Sequence, residues 1–438
     1  MKRIIILVCI AILPALGKAQ PQNEPAPLTE NDKKQTVESL TKLLNEEYIF
    51  PNVAEKMIAA LSANYKKGNY KSISNPIEFA ETITRDLISI SNDRHFLINY
   101  DPRGVKESKM VISKADSLEF EKRDFAEFRK QNFAFKEVKI LDGNIGYLNL
   151  IGFAPTSFSK ETAVATMGFL SNTDAIIIDL RSNGGGKSDM VQLLASYFFK
   201  AEPISFVEFY TRKGNTTDHD DNLINLQGKR MPDKDLYILT SHFTFSAAEG
   251  FTYLMKNRKR ATIIGETSGG GAHPVSQIAI GDKFMIRLPV AKPIDPITKT
   301  DWEGVGITPD IEVPVNDALL IAQIKALEKL ASATPDNKEY LWKVESLKGK
   351  QHPTNIDVQT LQIYAGKYGQ RKILFEDGSL YFQKDGQPRH KLTAISQNIF
   401  LMEDVDEVRI EMVLENGKVT AMKRLFIDGP PRTDKRSE

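Results

Sequence analysis

Two short apolar runs constrain the fold of this chain more than any other feature. Asp174 to Leu180 reads DAIIIDL, an apolar core bounded by polar residues. A run of that length without polar alternation is the mark of a parallel strand buried on both faces. Leu236 to Leu239 reads LYIL and gives a second buried strand. Helical patterns lie around them. Ser159 to Leu170 and Ser188 to Phe199 are two, and a third opens at Ser246 with Phe251, Leu254 and Met255 on its apolar face. Strands at 145–151, 204–211 and 262–264 complete the alternation, which predicts an α/β layer structure from 145 to 265.

The flanks differ in texture. Thr29 caps a helix with Val37, Leu40 and Leu44 at helical spacing, and two more helices span 53–65 and 77–90. Leu118, Phe125 and Phe128 fall on one face of a further helix and read as core packing. Residues 277–290 read as a hairpin, and 317–330 as an amphipathic helix leaving the core. Beyond residue 361, strand-like runs alternate with Asp377-Gly378, Asp385-Gly386 and Asn416-Gly417, strong hairpin signals. The expected organisation is a helical region to residue 100, an α/β core over 101–350, and a small all-β module over 351–438 with a disordered tail from Pro430.

Residues 1–19 have the pattern of a secretory signal: Lys2 and Arg3, an apolar stretch from Ile4 to Leu16, then Gly17 and Ala19 before a cut at Gln20. The one cysteine, Cys9, lies inside that stretch. Removal of the signal leaves a chain without thiols, so thiol catalysis, disulfides and cysteine metal sites are excluded. The predicted location is periplasmic or extracellular, with no membrane attachment once the signal is gone. A net charge of +1 gives no reason to expect nucleic acid as a partner. No cofactor or metal is expected. His219, in Asp218-His219-Asp220-Asp221, reads as part of a solvated loop.

Four stretches bear chemistry: Asp93-Arg94-His95, the loop Arg181 to Gly186, Ser246-Ala247-Ala248-Glu249, and Asp301 to Asp310. A serine at a strand-to-helix turn is exposed and sits beside backbone N–H groups that lack helical partners. Such groups can bind a developing oxyanion. Equally, Ser246 can be a plain N-cap, with Glu249 three residues on completing a capping box. His242 and His273 stand near this segment and read as structural residues, with a place on the lining of the expected cleft as the alternative.

Read together, DLRSNGGG, TSHFTFSAAEGF, IIGETSGGG and EGVGITPDIEV resemble the tail-specific, or C-terminal processing, serine peptidases. That superfamily includes the tricorn core protease and the interphotoreceptor retinoid-binding protein. The resemblance implies a crotonase/Clp-like ββα core and a peptide or protein substrate. It places the nucleophile on Ser246. In the dyad type a lysine base lies 25 residues after the serine, and that position here is Gly271. The tricorn-like type uses a histidine, which maps onto His95, and a glutamate, which maps onto Glu303. The serine that precedes the histidine there is replaced by Arg94 here, and Ser91 or Ser268 are the candidates to substitute. The resemblance further implies an oxyanion hole from Ala247 with Gly185 and Gly186, and substrate contacts from Gly270, Gly271 and His273. The PDZ domain common in the family has no room between Tyr100 and Glu137. An exported serine endopeptidase is one expectation. A binding protein for an apolar ligand or peptide on the same scaffold is the other.

Overall fold

The computed structural model describes residues 25–110 and 114–437. The expected signal segment lies outside the described residues. The chain divides into two compact units: residues to 318, apart from a short insertion near 140–145, and residues 319–438 together with that insertion.

The first unit holds a six-stranded sheet. Its strand order is Ile311–Glu312, Thr262–Gly265, Asp235–Thr240, Ala175–Asp179, Ile145–Leu150, Phe135–Leu141. Pairing from Ile311–Glu312 through to Ala175–Asp179 is parallel. Every residue of Ala175–Asp179 is buried, as its unbroken apolar run requires. Helices Thr156–Leu170, Ser188–Ser196 and Ala247–Asn257 supply Met167, Leu193 and Phe251 to the same core. The α/β class, the N-terminal helices and a C-terminal antiparallel sheet, as expected from sequence, are present.

The three N-terminal helices, Glu30–Glu47, Pro51–Lys66 and Pro76–Ser91, pack on a separate antiparallel sheet of Leu97–Tyr100, Phe284–Pro289 and Val275–Ile280. Thr29 and Asp32 form the expected cap, with Asp32 taking the glutamate's place in a capping box. The register of this sheet matters for the site. Leu97 faces Arg287, and Arg287 faces Gln277. Both outer strands are antiparallel to the central one, so they run the same way. The segments that lead into them, ending at His95 and His273, therefore arrive at the same end of the sheet.

Two expectations fail. Leu118 and Phe125 are exposed rather than core. The Phe125 ring instead meets Phe133 and Phe158 in a cluster at the surface. A period of 3.6 marks a helix face, but it does not say that anything covers that face. The tail is not disordered either: Arg432–Lys435 pairs with Lys418–Phe426, and Tyr368 bridges to Arg436. With eight antiparallel strands in sequence order, that bridge brings the two edge strands together and leaves the C-terminal sheet nearly closed.

The second unit also includes helices Ala318–Ala333 and Lys338–Gln351, ahead of the first strand of the closed sheet. Arg409 of the sheet is buried. Its guanidinium pairs with Glu345, donates to the Trp342 carbonyl at 2.5 Å and to Ser346 Oγ at 3.1 Å, and lies 3.8 Å over the Trp342 ring. Losing such a set costs on the order of a few kcal/mol. A fragment beginning at residue 319 is therefore expected to unfold at a higher urea concentration than one beginning at 361. Equal urea midpoints would show that the helix contributes nothing to the sheet.

Candidate active site

Ser246 follows the central strand Asp235–Thr240 and directly precedes the helix Ala247–Asn257. The intervening turn is tied to the glycine loop. Ser241 Oγ donates to the Arg181 carbonyl, Thr244 Oγ1 to that of Leu180, and the Phe245 N–H to that of Asn183. Ser246 itself has φ 54° and ψ −123°. A non-glycine residue in that region costs on the order of 1–3 kcal/mol and persists only where its surroundings fix it. Gly185 is part of the cause: a Cβ there would lie 2.8 Å from Ser246 Cβ and 3.0 Å from the Ala247 nitrogen. Its φ is +107°, so glycine is needed twice over.

Glu249 is fully buried and has four donors on its carboxylate. The N–H of Ser246 reaches it at 2.9 Å, that of Gly270 at 2.7 Å and that of Gly271 at 2.8 Å, and Ser268 Oγ donates at 2.6 Å. Burial pushes this carboxyl up, and the four donors pull it back. The backbone half of the capping box is therefore real, but Glu249 does more than cap. It fixes the nitrogen of Ser246 against the glycine loop that follows the strand Thr262–Gly265.

His95 and His273 meet at one carboxylate. Asp93 Oδ1 lies 3.1 Å from His95 Nδ1 and accepts the His95 N–H at 2.9 Å, while Oδ2 lies 2.8 Å from His273 Nδ1. Glu303 Oε2 is 3.3 Å from His273 Nδ1 and 4.0 Å from His95 Nδ1, and it accepts the N–H of Ala272 at 2.6 Å. Both histidines and Asp93 are almost wholly buried. Burial would raise Asp93, but hydrogen bonds from His273 and His95 hold it well below the usual carboxylate range. Burial lowers His273, yet the Asp93 hydrogen bond and the Glu303 charge outweigh it and the net direction is up. Glu303 is raised, by burial first and then by the charge of Asp93. Asp93, His95 and Glu303 are the one grouping among the described residues close enough to share a metal ion. The Asp93–imidazole spacings are nonetheless those of hydrogen bonds.

With Nδ1 turned to a carboxylate, a neutral imidazole carries its lone pair on Nε2. Nε2 of His95, Nε2 of His273 and Oε1 of Glu303 are buried without a partner, three of seven such side-chain atoms among the described residues. An orphaned buried polar atom costs about 1–3 kcal/mol, so three in one site point to a role other than stability.

His95, His273, Ser246, Ala247 and Gly186 all line one cavity of about 460 Å³. Phe206, Val207, Phe209 and Leu254 give part of its lining an apolar character, and Lys187, Asp220, Arg287 and Asp295 line it as well. The ring of Phe245, next to Ser246, lies 4.8 Å from that of His95. Ala247 is the first helical residue, so its N–H has no partner within the helix. Gly185 and Gly186 part ways. The Gly185 N–H donates to Asn183 Oδ1 at 2.8 Å, whereas Gly186 faces the cavity. Gly270 and Gly271 are not on the cavity wall. They donate to Glu249, and a Cβ on Gly271 would run into the Phe245 ring. Ser268 Oγ accepts the Ile307 N–H and donates to Glu249, and Ser91 Oγ donates to the Leu87 carbonyl and accepts the Asp93 N–H, so none of these hydrogen bonds goes to a histidine. Trp302 is buried on the cavity wall and donates to the Gly271 carbonyl at 3.0 Å. His242 is exposed and pairs with Glu266. Sequence reasoning did not single out Asp93 as a partner of both histidines, although it stands two residues before His95.

Residues 144–313 match the family described as Peptidase family S41, and residues 28–124 match the N-terminal domain of Peptidase_S41 in eukaryotic IRBP. Residues 144–313 therefore match a family whose members are serine-type hydrolases. A carboxy-terminal-processing protease of Bartonella bacilliformis is 32% identical over 177 residues, which is 40% of this chain and 39% of that protein. The carboxyl-terminal-processing protease of Synechocystis is 26% identical over 39% of each chain. The chain thus matches about two fifths of the length of these relatives. A crystal structure of a putative peptidase from Parabacteroides merdae aligns with a TM-score of 0.45 at 17% identity, covering 65% of this chain and 90% of that one.

Two outcomes follow from the geometry. Gly185→Ala is expected to displace the Ser246 turn and destabilise the first unit by roughly 1–3 kcal/mol, read as a drop in the urea midpoint. His273 has a raised folded-state pKa, so the stability it contributes is fully present below about pH 6.5 and lost as pH rises through the folded value. His273→Gln is thus expected to lower the midpoint more at pH 5.5 than at pH 8.5. A deficit that grows toward alkaline pH would show that His273 is not held as the cation.

Proposed function

We propose that the protein is an exported serine endopeptidase in which Ser246 is the nucleophile and His95 the general base. The observation that carries the reading is the shared cavity wall: a serine at positive φ on a strand-to-helix turn, and a histidine with Nδ1 on a carboxylate and Nε2 unpartnered. Export rests on the signal pattern of residues 1–19. Among the described residues no helix is long and apolar enough to cross a membrane.

In this reading Ser246 Oγ bonds to the scissile carbonyl carbon while its proton passes to His95 Nε2. The carbonyl π electrons move onto oxygen, where the N–H groups of Ala247 and Gly186 receive the charge. One such donor is worth roughly 3–4 kcal/mol. The tetrahedral species then expels the amine, which takes the proton from His95 as the C–N bond breaks. Water attacks the acyl-serine by the same route, with His95 again accepting a proton and returning it to Ser246. The apolar part of the lining, Phe206, Val207 and Phe209, supports an apolar side chain on the peptide substrate. The same apolar part supports the second reading, a binding protein for an apolar ligand.

Fluorescent casein separates the two. Wild-type protein is expected to cleave it, and Ser246→Ala and His95→Ala are expected to fall to background with an unchanged circular dichroism spectrum. Cleavage that persists in Ser246→Ala would remove the nucleophile assignment. No cleavage by wild type, together with binding of an apolar dye displaced by peptide, would favour the binding protein.

A further inference from the structure

We infer that Asp93, not Glu303, is the carboxylate that orients His95, and that His273 is a second positioning residue, a cation held between the two carboxylates. This rests on the serine-peptidase reading above. The distances carry it. Asp93 Oδ1 is 3.1 Å from His95 Nδ1, whereas Glu303 Oε2 is 4.0 Å away, beyond a hydrogen bond. Glu303 stands nearer His273, at 3.3 Å, and takes the Ala272 and His273 N–H groups. Asp93 alone among the described residues has one oxygen on each imidazole.

Charge makes the arrangement necessary. Two buried carboxylates around one pair of rings repel, and burial penalises each of them. A cation between them offsets part of both penalties, and His273 Nδ1 lies within 3.3 Å of both. The direction of the His273 shift, upward despite burial, agrees. His95 Nε2, which has no partner, is then left to accept the Ser246 proton.

The remaining surroundings of the pair add little charge. Phe245 packs on His95 and Phe50 on His273, both apolar. The Tyr48 phenol lies near both carboxylates and is pushed up by burial first and then by their charges, so it stays neutral. Asp301 adds a weak negative field at His273. Arg94 is directed at the Gly269 carbonyl, at 3.4 Å on the exposed side.

The test is the rate at which a fluorophosphonate labels Ser246 as a function of pH, in the full-length protein and its Asp93→Asn, Glu303→Gln and His273→Gln variants. Labelling needs no knowledge of the substrate. The amide introduced by Asp93→Asn keeps an oxygen for the His95 N–H, so the turn survives while the charge is lost. Asp93→Asn is expected to slow labelling by up to about 10⁴-fold, the loss on amidation of an orienting aspartate, and to move the acid limb to lower pH. Glu303→Gln is expected to slow it less than tenfold. His273→Gln removes a positive charge beside His95, so the acid limb is expected to move to higher pH. A packing defect would not move the limb in opposite directions in two variants. Wild-type rate and an unshifted limb in Asp93→Asn, or a limb that moves down in His273→Gln, overturns the inference while Ser246 labelling leaves the peptidase reading standing. A wild-type protein that does not label at Ser246 overturns both.

Discussion

One carboxylate, Asp93, ties two distant parts of the chain together. It belongs to the end of the N-terminal helical region, and its partner His273 lies 180 residues on, after the glycine loop of the α/β sheet. Removing His273 would leave Asp93 with His95 alone, and removing Asp93 would leave His273 with Glu303 alone. The sheet beneath makes the contact repeatable. Leu97–Tyr100 and Val275–Ile280 run in the same direction on either side of Phe284–Pro289, so the segments ahead of both strands emerge together. The helices Glu30–Glu47 to Pro76–Ser91 close over that sheet through Leu40, Phe79 and Ile83. The helical region is therefore part of the site's construction.

Glu249 does the corresponding work on the serine side. Its four donors come from Ser246, Ser268, Gly270 and Gly271, so one buried side chain sets both the strained turn and the loop behind it. Gly304 and Ser268 then join that loop to the segment bearing Glu303, through the Gly270 and Ile307 carbonyls. The positive φ of Ser246 is held by these contacts and by the approach of Gly185. Strain of this kind is stored where a side chain must stand free of its own helix, which is what a nucleophile in the proposed role requires.

The sequence made some of this legible for physical reasons. Apolar runs such as DAIIIDL announce buried parallel strands because both of their faces must be covered, and every residue of Ala175–Asp179 is buried. The glycine loop and the Ser246 turn were visible because glycine and strand-to-helix turns are local features. The division of labour between Asp93 and Glu303 was not visible. It depends on strand register between residues nearly two hundred positions apart, which no local pattern encodes. The family resemblance implies substrate contacts from Gly270 and Gly271, but their N–H groups go to Glu249 and Gly271 packs against Phe245. The aromatic stripe of Phe125 and Phe128 misled for a related reason, since periodicity fixes a face but not its cover. In the tail, Pro430 and the charged run after it masked a strand whose partner, Lys418–Phe426, supplies the ordering.

The most direct test of this construction is a crystal structure of the protein carrying a phosphonate on Ser246, which mimics the tetrahedral species. The account predicts the phosphonyl oxygen between the N–H groups of Ala247 and Gly186. It also predicts His95 Nε2 within about 2.6–3.2 Å of the adduct, with Asp93 still bridging both imidazoles. An adduct approached by His273 in place of His95, or an Asp93 that has released His95 to Glu303, would contradict it.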